Sequence, residues 1–156
     1  MSPSMSVSDS GGEPHGHALI HNLGYAGLIP LVGLALLVWL VTPDLQAWVA
    51  LALAAYAALI ASFLGGIHWG IGWSQMARAP HTSVHFVWGV VPSLLAWPGL
   101  VMPPYAGLAW LGLVLMVCYA VDRRLYAQAG LGVWLKLRFR LSAIAALSCF
   151  IGAGAL

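Results

Sequence analysis

Apolar residues run along this chain in long blocks, and polar residues are gathered in the seams between them. The block from Gln46 to Gly72 is 27 residues without one Asp, Glu, Lys or Arg, more than the ~20 that cross a bilayer. Similar blocks lie at about 22–41, 84–101, 105–121 and 139–156. Their boundaries carry stop and start signals: Thr42-Pro43-Asp44, a polar loop from Ser74 to Thr82 with Arg78 and Pro80, Met102-Pro103-Pro104, and Asp122-Arg123-Arg124. The pattern predicts an all-α integral membrane protein, a bundle of five transmembrane helices forming one domain over 22–156. Residues 1–21 are Ser-, Gly- and His-rich and are expected to be a disordered tail. With neither a basic n-region nor an Arg-rich amphipathic pattern, that tail is expected to be neither signal nor transit peptide.

Within the Gln46–Gly72 block a second pattern appears. Ala50, Ala54, Ala58, Ser62, Gly66 and Gly70 recur at every fourth position, with Ala57, Ala61 and Gly65 as a parallel row. Small residues four apart let membrane helices approach backbone to backbone, so Ala58, Ser62, Gly65, Gly66 and Gly70 are the expected helix-packing positions. A four-residue step overshoots 3.6 by roughly 40° of rotation. The stripe therefore drifts, and the central helix should touch different partners at its two ends. Pro30 and Pro92 fall inside spans one and three and should kink them, freeing the carbonyls of Ala26 and Trp88; Ser93 could repair one locally. The Gly27–Pro30 and Gly89–Pro92 quartets hint at a duplicated hairpin.

Composition agrees with the class: 62% hydrophobic residues, 6% charged and a mean hydropathy of +0.91, against ~25% charged in soluble domains. Charge distribution adds orientation. All six Lys and Arg fall in segments that five spans place on one side, so the positive-inside rule puts the N-terminus in the cytoplasm and the C-terminus outside. A four-span reading would bring only the C-terminus inside. The expected location is the bacterial inner membrane. Segment 122–138 interleaves basic and apolar residues and should lie along the headgroups. The five basic residues of 123–140, Arg123, Arg124, Lys136, Arg138 and Arg140, would bind anionic lipid, cardiolipin or phosphatidylglycerol. No basic face on a folded domain suggests nucleic acid. Cys118 and Cys149 read as small buried hydrophobes at different depths, without a disulfide.

Candidate chemistry is sparse. There is no nucleophile–base pair, no pair of intramembrane carboxylates and no phosphate loop. The six histidines cluster on the expected cytoplasmic side. A haem or metal site would draw on His68 with His85, and on His21 or His81, although no His-Glu-x-x-His type signature is present. His68, within its span among small residues, is a functional candidate, or else an interhelical hydrogen-bond donor. Asp122 should close the fourth span within reach of Arg123, Arg124, Arg138 and Arg140 in an interfacial ion-pair cluster. Trp48, Trp73 and Trp134 read as interfacial belt residues. Trp39, Trp69, Trp88, Trp97 and Trp110 could line a groove for a quinone, carotenoid or lipid tail, or simply pack; Trp69 joins the functional candidates.

Four segments together resemble a known membrane family: Ser62-Phe-Leu-Gly-Gly-Ile-His-Trp-Gly70, Val91-Pro-Ser-Leu-Leu-Ala-Trp97, Tyr119-Ala-Val-Asp122 and Trp134-Leu-Lys-Leu-Arg138. The family is domain of unknown function 3429, with mitochondrial relatives similar to transmembrane protein 69. The resemblance covers roughly Gly24 to the C-terminus and is most specific at Phe63, Leu64, Gly65, Gly66, Trp69 and Gly70. It implies arginine at the position of His68 in mitochondrial members, which suits a cation or donor better than an obligate metal ligand. It implies no established activity. The expectation is a non-catalytic accessory or assembly subunit docking onto a larger respiratory or photosynthetic membrane complex. The alternatives are a redox protein binding haem, metal or quinone, and a small transporter built on the two proline breaks.

Overall fold

The computed structural model describes residues 13–76 and 82–156, with side chains from residue 16 onward. Six helices follow in order: α1 Glu13–Ala26, α2 Leu28–Leu40, α3 Pro43–Gln75, α4 Ser83–Val101, α5 Pro104–Gln128 and α6 Leu135–Ala153. A single 3-10 turn, Gly132–Trp134, precedes α6, and no strand occurs among the described residues. Four helical stretches are long and apolar enough to cross a membrane: Gly16–Leu40, Pro43–Gln75, Ser83–Val101 and Pro104–Gln128. The fifth apolar block becomes α6, which carries Lys136, Arg138 and Arg140 in its first two turns.

Prolines set most of the boundaries. α2 ends at Val41 and α4 at Met102, both extended and each shortly before a proline that disfavours helical backbone in the residue preceding it. Pro43 and Pro104 then open α3 and α5 at positions where a missing N–H costs nothing. Asp44 sits in the first turn of α3, at the positive end of the helix dipole. The end of α5 is a Schellman motif. Gly130 takes φ +77°, while Leu131 N–H donates to the Tyr126 carbonyl at 2.8 Å and Gly130 N–H to that of Ala127 at 3.4 Å. That reversal lays α6 back along α5.

Several boundaries differ from the sequence reading. The part of the expected tail that is described, residues 13–21, is helical, and the His17 ring stacks on Trp134 at 4.9 Å. The first span is interrupted at Gly27 rather than at Pro30, because Pro30 falls in the first turn of α2, where no N–H is required. Tyr56 Oη donates to the Gly27 carbonyl at 3.1 Å and ties that break to α3. α4 runs unbroken through Pro92 and Pro98; Ser93 Oγ donates to the Val90 carbonyl, not to that of Trp88. The supposed headgroup segment 122–138 begins inside α5, which continues to Gln128.

α3 is the central helix and changes neighbours along its length. Near its start Leu53 packs against Gly152 of α6, where an added Cβ would stand 2.5 Å from a leucine methyl. Near its end Gly65 faces the Gly89 carbonyl of α4 so closely that no Cβ fits. α4 and α5 meet in the same manner at Gly99 and Gly107. Large apolar side chains such as Ile29, Leu59, Leu94 and Val101 point outward, while Ala50, Ala54, Ala57 and Ala61 are buried. This is the membrane arrangement, in which small residues bring helices together.

The two small-residue rows of α3 part company. Ala57, Ala61 and Gly65 lie inside with His68, and Ala58 is buried beside them. Ser62, Gly66 and Gly70 face outward, and nothing lies within 4 Å of a Cβ built on either glycine. Within the chain, then, Ser62, Gly66 and Gly70 are not packing positions; the tight contact falls one residue earlier, at Gly65.

Candidate functional site: a buried histidine–aspartate–arginine network

Among the buried residues of α3 one carries a polar side chain, His68, and it is fully buried. Its Nε2 lies 2.8 Å from Asp122 Oδ1 of α5, and its Nδ1 lies 3.0 Å from His85 Nδ1 of α4. Asp122 is 1% exposed. Its Oδ1 also accepts from Trp88 Nε1 at 3.1 Å. Its Oδ2 accepts from Arg138 of α6, Nε at 3.0 Å and Nη2 at 2.6 Å. Arg138 Nη1 donates in turn to Ser142 Oγ, four residues along the same helix. The Tyr126 ring closes one side, 5.4 Å from that of His68. Four helices are thus tied at one end of the bundle.

The elements explain this convergence. His68 is two turns before the end of α3, His85 is the third residue of α4, Asp122 is two turns before the end of α5, and Arg138 is the fourth residue of α6. Alternating helix directions bring those four ends together. On α6 the residues Arg138, Ser142, Ala145, Cys149 and Gly152 follow steps of four and three, and all are buried. This is the spacing of one helix face. Lys136 and Arg140 lie off it and are exposed.

Charge and hydrogen bonds balance within the site. Asp122 and Arg138 form an ion pair in which two guanidinium N–H groups converge on Oδ2, the kind of pairing a buried carboxylate needs if it is to stay ionised away from water. With the carboxylate as acceptor, His68 Nε2 carries the proton of that bond. The two facing Nδ1 atoms then need one proton between them: with none they have no bond, and with two the N–H groups collide. His68 therefore has both ring nitrogens engaged. No buried side-chain nitrogen or oxygen among the described residues lacks a partner. The site can hold helices in place and share one proton between two rings; it presents no unengaged nucleophile.

The sequence-selected residues are only partly united. His68 and Asp122 meet directly, and His85 joins them. Trp69 is outside the network: it is 42% exposed, its Nε1 donates to the Phe86 carbonyl at 3.1 Å, and its ring covers Gly89 where a Cβ would go. The metal set is dispersed, with His68 and His85 bonded to each other and His21 on α1 with its ring 6.2 Å from Trp134. His81 lies outside the described residues. No group of three or more His, Cys, Asp or Glu placed to hold a metal occurs among the described residues. Arg138 is corrected: it is 6% exposed and paired with Asp122, so its charge is already matched and is not offered to an anionic headgroup. Asp122 is likewise a buried partner rather than an interfacial cap. Trp88, Tyr126 and Ser142 were not singled out for this site. The four-and-three spacing on α6 was the signal that could have placed Arg138 and Ser142 on the inward face.

No curated protein and no solved structure gives a significant match to the chain. Its family is nonetheless shown, because residues 17–154 match the family described as protein of unknown function DUF3429, and those residues include every member of the buried network. The chain belongs to that family.

Proposed function

We propose that this chain is a non-catalytic integral membrane protein that docks, as an accessory or assembly subunit, onto a larger complex of the bacterial inner membrane. The observation that carries the reading is the division of small residues on α3. One row is used inside the bundle, and the other, Ser62, Gly66 and Gly70, faces outward with open space above its glycines. Such a row admits the backbone of another helix. The closed network supports the non-catalytic half, since its polar groups are engaged with one another. Its part is to fix four helices in register, the best-attested use of a buried polar cluster.

The reading includes five spans, with bends at the Gly27–Pro30 break and at Pro92. α6 is 19 residues, about 28 Å at 1.5 Å per residue, close to the ~30 Å hydrocarbon core. Near its far end the Ile151 carbonyl accepts from Trp39 Nε1 of α2 at 3.1 Å, which supports α6 running the length of the bundle. The positive-inside rule then sets the network at the cytoplasmic face. There exposed Arg123, Arg124, Lys136 and Arg140 meet anionic headgroups.

Native co-purification tests this with matched substitutions. Gly65→Leu should unfold the bundle, because Gly89 leaves no room. Gly66→Leu with Gly70→Leu should leave thermal stability unchanged and strip a stoichiometric membrane partner from the purified protein. A doubly substituted protein that keeps its companions, or a wild-type protein that purifies alone from native membranes, defeats the docking reading.

A further inference from the structure

A cavity of about 480 Å³ opens between α1, α3, α5 and α6, with Arg138 and Tyr126 in its wall. Its size is within the ~300–1,000 Å³ of small-molecule pockets. Most of the lining is hydrocarbon, including Leu64 of α3 and Leu141 of α6, with Gly24 of α1 at the side. The lining side chains able to hydrogen-bond are Tyr126, Trp134 and Arg138. Arg138 and Trp134 can only donate, and the tyrosine hydroxyl can donate too. Three of the five guanidinium N–H groups go to Asp122 and Ser142, and the Tyr126 hydroxyl lies within hydrogen-bonding reach of the same guanidinium.

This chemistry selects a ligand. A head for this cavity must accept hydrogen bonds. It should also be neutral, because the Arg138 charge is already matched by Asp122 at 2.6 Å. A carboxylate would bring a second, unmatched negative charge into a desolvated site, at a cost a carbonyl does not incur. We propose that the cavity binds a neutral amphiphile, with a carbonyl head against Tyr126 and Arg138 and a hydrocarbon tail along Leu64 and Leu141. Membranes supply that chemistry as alkyl quinones and as the ester carbonyls of acyl lipids. The proposal is independent of docking to a partner.

The test uses the full chain in nanodiscs of ether-linked lipid, whose matrix has no ester carbonyl. Three photoreactive probes are compared by peptide mass spectrometry: an alkyl quinone, an ester-linked phospholipid and a long-chain fatty acid. Saturable labelling around Leu64 and Leu141 by the quinone or by the ester lipid, competed by its unlabelled form, supports the site and says which source fills it. Leu64→Trp fills the space and should cut that labelling about tenfold, equivalent to ~1.4 kcal/mol. Ile67→Phe, a milder filling of the same wall, should lower it in the same direction should the tryptophan disturb folding. Tyr126→Phe should weaken capture, and Val117→Trp on the exposed face of α5 should not change it. Preferential labelling by the fatty acid overturns the neutral carbonyl head. Labelling spread over the whole outer surface and indifferent to Leu64→Trp overturns the site.

Discussion

Asp122 is the residue on which the polar interior depends, since it accepts from His68, Trp88 and Arg138 at once. Asp122→Asn keeps the shape and removes the charge, leaving a guanidinium that is 6% exposed without its counter-ion. Breaking a buried pair from one side costs about 3–5 kcal/mol, and a loss of that size is expected in reversible unfolding in mixed micelles. Arg138→Met should behave alike. The double variant Asp122→Asn with Arg138→Met should cost less than the sum of the two single changes, because no charge is left unmatched and the asparagine amide oxygen still accepts from His68 and Trp88. If the double variant equals the sum of the singles, the pair is not the unit described here. His85→Phe should cost less, about 1–3 kcal/mol, the penalty for leaving the buried His68 Nδ1 without a partner. His68 and Asp122 could each be picked out in sequence as polar residues at the edge of apolar blocks. Their pairing could not be, because they are 54 positions apart. Arg138 was hidden differently: a basic residue beside Lys136 and Arg140 looks like surface charge, and only the inward face of α6 separates it from them.

At the scale of the element, the helices themselves were legible because length and hydrophobicity are enough to define a span. Which face of a span turns inward was not. In water the buried face is the apolar one, but lipid is as apolar as a protein interior, so the usual amphipathic signal fades. Two equally small rows on α3 therefore looked alike, and only the approach of Gly89 to Gly65 separates them. Turn geometry was equally obscure. The Gly130 reversal lay inside a stretch that reads as an interfacial basic segment, yet it sets the register of α6 on α5 and so brings Arg138 to Asp122. With φ at +77°, Gly130→Ala should cost about 1–2 kcal/mol from left-handed strain. The loss should be smaller with Gly130→Asn, because asparagine tolerates that region better. Thermal unfolding of the two variants checks the order; a neutral Gly130→Ala would mean that the turn does not constrain α6.

For the whole molecule, the proposed fifth crossing rests on α6. By composition α6 is ambiguous, with Lys136, Arg138 and Arg140 crowded into its first two turns. Packing resolves the physical difficulty for one of the three. Arg138 is neutralised by Asp122 inside the bundle, while Lys136 and Arg140 are exposed near the helix start, where long side chains can snorkel to the headgroups. The remainder, Leu141 to Ala153, holds no charge. It packs against α2, α3 and α5, and its last turn accepts the Trp39 indole from the far end of α2. On the proposed five-span reading, the contacts of the first turn of α6 with Asp122 and of its last with Trp39 are those of a helix running the length of the bundle. Alkaline phosphatase fused after Leu156 should therefore be active in cells. The same reporter inserted after Gln128 should be silent, with a cytoplasmic fluorescent fusion giving the reverse. Arg138→Met should leave that pattern intact, because the helix would be relieved of a charge while its length and apolar face stayed the same. A silent phosphatase at Leu156 together with bright cytoplasmic fluorescence there would remove the fifth crossing, and α6 would have to enter and leave the bundle from one side.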